Sequence, residues 1–173
     1  MSITDQLQLM YDTLNDWAGE GNAQNYAVQI VPDLAHMWYA LLNTSQSSQI
    51  LIMYNGEQIR GEFGIAAQLA RVDRRFVVVV SRGQSLTFPL SQQYLKPTQN
   101  AVPLYNDVET IRDIVRGLQF DPVTTERPVD YMGIVPFATD GSGKVMDAMQ
   151  IELSVGVQLE LIESTPDVLA QTA

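Results

Sequence analysis

Residues 149–161 read MQIELSVGVQLEL: Met149, Ile151, Leu153, Val155, Val157, Leu159 and Leu161 alternate with Gln150, Glu152, Ser154, Gly156, Gln158 and Glu160. Successive side chains of a strand point to opposite faces, so the stretch predicts a long strand with one dry face and one polar face. Such a strand belongs to an antiparallel sheet whose apolar side is backed by helices. It is longer than the usual five or six residues. It is therefore either an ordinary long bent strand, or one whose ends reach past the domain to pair with a neighbouring subunit.

The rest of the sheet is read outward from that strand. Residues 131–137 form its partner, joined to it around Asp140-Gly-Ser-Gly-Lys144. Residues 75–81, RFVVVVS, are a short β-branched run closed by Gly83, the pattern of a central strand buried on both faces. Residues 49–54, QILIMY, precede Asn55-Gly56, a dipeptide that suits a two-residue turn, so a hairpin into residues 57–63 is expected.

Three apolar patterns have helical spacing. Ile3, Leu7, Met10, Leu14 and Trp17 recur at three- and four-residue steps; Ser2 and Asp5 have capping-box spacing, and Gly19 and Gly21 offer a stop. After a short Tyr26, Val28, Ile30 alternation, Pro32-Asp33 opens a second run of Leu34, Met37, Trp38 and Leu41. Val108, Ile111, Val115 and Leu118 define a third, with Ile114 beside them, Arg112 and Arg116 opposite, and Asn106 or Asp107 as cap. The expected class is α+β: a mainly antiparallel sheet with helices packed on one face, in the order helix, helix, three strands, helix, two strands.

A chain of 173 residues fits one domain, placed at residues 1–162, with residues 163–173 as a flexible tail. Residues 83–104 hold three prolines and no clean period, a length of connection that compact domains seldom keep without a use, so an interaction arm or lid is expected there.

Composition narrows the function. With no Cys and a single histidine, His36, neither a disulfide nor a thiolate or imidazole metal cluster can form, and no cofactor is expected. The opening segment carries acids where a signal peptide would be basic, and no apolar run approaches the ~18 residues of a membrane helix. The protein is therefore expected to be intracellular and to use no membrane. A net charge of −10 repels phosphate backbones, which argues against sequence-specific nucleic-acid binding. Only 17% of residues are charged while 46% are hydrophobic, so either some surface is meant for burial against a partner or the 16 Gln residues replace charges on an ordinary solvated surface.

No catalytic constellation stands out. Gly141-Ser-Gly-Lys144 lacks the spacer and the hydroxyl after Lys that a phosphate loop needs, and reads as a β-turn. His36 has no nucleophile elbow to serve and reads as structural. Asp107, Glu109 and Asp113 near the start of the third helix are explained by capping and the helix dipole. Arg71, Arg74, Arg75 and Arg82 gather around the central strand. Salt bridges within the fold are their default use, inter-subunit pairs come next, and phosphate contact last.

This layout resembles the tail terminator (tail completion) proteins of long-tailed bacteriophages: an amphipathic N-terminal helix over residues 3–17, a hairpin and central strand over 49–81, a long loop, one amphipathic helix over 107–117, and a final strand pair ending in 149–161. The helix over 34–42 and the C-terminal tail depart from that pattern. The resemblance implies a structural virion protein of the tail or neck, made in the host cytoplasm, and not an enzyme. It implies a hexameric ring with a DNA-passing lumen, one face stacked on the tail-tube protein and the other on the head connector or head-completion protein. Six copies would carry −60, a field that discourages DNA from sticking to the channel wall. A closed ring needs a heterologous interface, for which the 83–104 loop, with Phe88 and Tyr94, and the third helix, with Arg112 and Arg116, join Arg74 and Arg75 as candidates. The alternatives are another phage neck or tail-tube structural protein, or a small hydrolase or ligand-binding enzyme.

Overall fold

A computed structural model describes residues 1–19, 26–43, 48–59, 69–82, 104–120, 129–136 and 147–160. The elements are α1 (Ile3–Gly19), β1 (Ala27–Ile30), α2 (Leu34–Asn43), β2 (Gln49–Ile59), β3 (Leu69–Arg82), α3 (Leu104–Arg116), β4 (Asp130–Pro136) and β5 (Asp147–Glu160). The strands form one mixed sheet in the order β1-β2-β3-β5-β4. β1 runs parallel to β2, and every other neighbouring pair is antiparallel. The chain is an α+β protein, as the strand and helix periods require.

The alternation in β5 decides the main core. Met149, Ile151, Leu153, Val155 and Val157 are all buried on one face, where they meet Ile50 and Ile52 of β2 and Phe76, Val78 and Val80 of β3. Over this face lie α1, through Met10 and Leu14, and α3, through Val108, Ile111 and Val115. α1 packs on β1 and β2 and touches α3, which packs on β4 and β5. β3 is central, and its valine run is buried on both faces, as its sequence predicts.

Two expectations need correction. The helices do not all share one face: α2 covers the opposite side, where Met37 and Leu41 pack on Leu51, Met53, Val77 and Val79. The physical reason is that QILIMY and RFVVVVS are apolar on both sides and need cover on both. The parallel β1–β2 pair also requires a crossover connection, which α2 supplies. The Tyr26, Val28, Ile30 alternation thus marks β1, the edge strand that the expected element order omits.

Asn55-Gly56 is not a hairpin turn. β2 continues through it to Ile59, and the register slips between Tyr54 and Glu57: Tyr54 opposes Phe76 and Glu57 opposes Arg74. Three steps on β2 match two on β3, which is a bulge carrying one extra residue, with Gly56 at φ +93°. A tight turn would have folded QILIMY onto the polar EQIRGEF segment; the bulge lets it run along the valines of β3 instead.

β5 pairs with β3 along its whole length, Leu69 opposite Glu160 through Arg82 opposite Asp147. The long strand is therefore matched by an equally long partner in the same chain. On its other side β4 reaches only from Met149 to Ser154. The expected 83–104 arm, the Asp140 to Lys144 turn and the 163–173 tail lie outside the described residues. No described helix is long and apolar enough to cross a membrane.

Candidate interaction surfaces

Of the residues singled out in the sequence, the four that are described, Arg74, Arg75, Arg112 and Arg116, do not form one cluster. Phe88 and Tyr94 lie outside the described residues. Arg74 is 6% exposed and sits on the α1 side of β3. Its Nε donates to Glu57 Oε1 at 2.8 Å, and its Nη1 donates to the Met1 carbonyl at 2.9 Å and to Gln6 Oε1 at 3.0 Å. Of the three uses open to this arginine, the salt bridge within the fold is the one the geometry displays. It ties β3, the bulged end of β2 and the first turn of α1 at one point. Burial, then the charge of Glu57, pushes the nearby Tyr54 hydroxyl up from its ordinary value.

Arg75 points to the other face, since strand neighbours alternate. It is exposed, and its Nη2 donates to Gln58 Oε1. Its partner across β5 is Ser154; further along the same face Gln150 Nε2 donates to Glu152 Oε1 at 2.8 Å, opposite Val79 and Val77.

Arg112 and Arg116 lie on α3, on the flank toward β4. The Arg112 guanidinium sits 5.8 Å from the centroid of the Tyr131 ring, and its Nε donates to Asp113 Oδ1 at 2.9 Å. Arg116 is exposed in the last helical turn. β4 is an outer strand on which Tyr131 is 37%, Met132 52% and Val135 45% exposed. A register slip between Tyr131 and Gly133 adds one residue to this strand around Met132. The isolated Gly133 inside the strand is the sequence signal that could have found that slip, since glycine in a strand interior often marks a bulge. Arg112 thus meets Tyr131 on the α3 face of the outer strand, with Met132 next to it in the chain, while Val135, opposite Gln150, is exposed on the other face.

One further residue differs from its sequence reading. α3 begins at Leu104, so Asp107 is not its cap; its carboxylate is buried and accepts a 2.6 Å hydrogen bond from the Tyr26 hydroxyl. Tyr26 in turn lies against Trp17, with ring centroids 5.8 Å apart, so the pair joins α3 to the end of α1 and the start of β1. His36 is structural but exposed: its backbone N–H donates to Asp33 Oδ1 at 2.9 Å, and its ring Nδ1 lies 2.8 Å from the same oxygen. Asp33 is the cap of α2, and the His36 backbone N–H, followed by the ring, holds its carboxyl below the usual range. Among the described residues no group of three or more His, Asp or Glu stands close enough to hold a metal ion.

No family model and no curated protein matches this chain.

Proposed function

We propose that this protein is a structural component of a phage virion, one that closes the end of a tail tube as a hexameric ring and joins it to the head connector, with DNA passing through the lumen. The observation that carries the assembly reading is the outer strand β4, on which Tyr131, Met132 and Val135 are exposed and Arg112 of α3 stands over the Tyr131 ring. Apolar side chains with charges around them are what a subunit contact uses, since burial of the first gives affinity and the second fix orientation. The terminator reading rests on element order: α1, the antiparallel β2–β3 pair, α3, then the antiparallel β4–β5 pair. The acid excess of the chain suits a channel to which DNA must not adhere.

Light scattering over a concentration series tests it. The expected particle is six times the 19.3 kDa chain, either alone or when mixed with isolated tail tubes. A chain that stays monomeric or dimeric and never binds tube ends would overturn the proposal.

A further inference from the structure

Two helices of the same outer layer carry opposite charges at equal spacing. On α1, Asp5, Asp12 and Asp16 fall at i, i+7 and i+11, and all three are exposed. Steps of about 100° put them within roughly 40° of one another around the helix. That line lies opposite the buried Met10 and Leu14. On α3, Tyr105, Arg112 and Arg116 repeat the i, i+7, i+11 spacing. The Asp12 to Asp16 step and the Arg112 to Arg116 step each advance about 6 Å along their axes.

Within one chain the two rows cannot meet. The acidic row points away from the sheet, and the arginine row lies on the β4 flank of α3, on the far side from α1. No Lys or Arg occurs in the first 59 residues, and among the described residues the arginine beneath α1, Arg74, is committed to Glu57, Met1 and Gln6. Asp5 is occupied by its cap with Ser2, and Asp12 Oδ1 accepts only a neutral, exposed donor, Gln8 Nε2 at 2.8 Å, so Asp12 and Asp16 are the pair that matches the two arginines. The exposed Arg112–Asp113 contact between adjacent residues is of a kind worth little, so it does not prevent exchange for a better partner.

We propose that a second copy of this chain is the occupant: Asp12 and Asp16 on α1 of one copy pair with Arg112 and Arg116 on α3 of the next. This rests on the assembly reading above and names its contact. Because the two surfaces differ, the contact is heterologous, and repeating it around an axis closes a ring. Charge complementarity at matched spacing fixes the register between copies, while Tyr131 under Arg112 and the adjacent Met132 supply apolar area.

Charge exchange tests the contact. One variant carries Arg112→Asp and Arg116→Asp, a second carries Asp12→Arg and Asp16→Arg, and a third carries all four changes. Mass is read by light scattering, and helix content by circular dichroism. The first two are expected to fall to the 19.3 kDa monomer, while their equimolar mixture and the fourfold variant recover the wild-type mass. The pair Arg116→Asp and Asp16→Arg, singly and together, repeats the test without disturbing the Arg112–Tyr131 contact. Either reversal leaving the mass unchanged, or mixture and fourfold variant both staying monomeric with normal helix content, overturns the contact while a wild-type ring keeps the assembly reading alive. A wild-type chain that never assembles overturns both.

Discussion

Glu57 lies opposite Arg74 across the β2–β3 ladder because the bulge at Asn55-Gly56 inserts one extra residue before it. Without that residue the strand would present Glu57 to the other face, since a one-residue slip exchanges the two sides of a strand. The bulge therefore decides whether the Arg74 guanidinium is paired. It also links the local backbone at Gly56 to the seating of α1, because the same guanidinium holds Met1 and Gln6.

Arg74→Ala is expected to destabilise the fold by about 2 kcal/mol: Glu57 stays solvated, but buried Gln6 and the Met1 carbonyl lose a charged donor. Arg74→Lys should recover only part of this, since an ammonium cannot reproduce a fork that serves three acceptors. Urea unfolding followed by circular dichroism measures both. A loss below about 0.5 kcal/mol for the alanine variant would mean that the node contributes no more than a surface pair.

Gly56→Val should cost about 1–2 kcal/mol, because a branched side chain does not tolerate φ +93°. No heavy atom lies near its Cβ position, so the cost is one of backbone conformation and not of collision. Combined with Arg74→Ala the two effects should fall short of their sum, since the bulge and the ion pair act together; strict additivity in the same unfolding assay would contradict that coupling.

Tyr26→Phe removes the hydroxyl that donates to buried Asp107 and is expected to cost about 2 kcal/mol, as for a buried hydrogen bond to a charged group. Hydrogen exchange should then rise at the first turn of α3 and in β1 while the β3–β5 ladder keeps its protection. Uniform loss across the sheet would show that the pair is not a local tie.

Asp5 and Asp33 both have carboxyls held below the ordinary Asp value of 3.8, Asp5 by hydrogen bonds from the Ser2 side chain and then its backbone, Asp33 by the His36 backbone N–H and then its ring. A depressed carboxyl adds stability that is fully present above its unfolded value and is lost as pH falls through the folded one. Unfolding midpoints should be insensitive to these groups at neutral pH and should drop below about pH 4. Asp5→Ala with Asp33→Ala should flatten that acid limb; an unchanged slope would remove the two caps from the account.

The parts of the fold readable in the sequence are those set by one local period. The alternation of β5 gave its buried face, and the 3.6-residue stripes of α1 and α3 gave the helices above it. What escaped depends on contacts distant in sequence. Asn55-Gly56 reads as a turn unless the length of β3 is known, because only a long partner makes it better for β2 to continue. α2 was assigned to the wrong side because a helix stripe does not say which face of a sheet it covers. Asp107 looks like a cap from its neighbours and is instead a partner for Tyr26, 81 positions away. At the candidate surface Arg112 and Arg116 were legible from helix spacing, whereas the exposure of Met132 and Val135 follows from the sheet order that leaves β4 outermost.

Negative-stain imaging of the purified protein, alone and with isolated tail tubes, tests the assembly reading most directly. The account calls for closed rings of six copies with an open lumen, free in solution or seated on tube ends. Particles of one or two copies under every condition, or open filaments without closed rings, would contradict it.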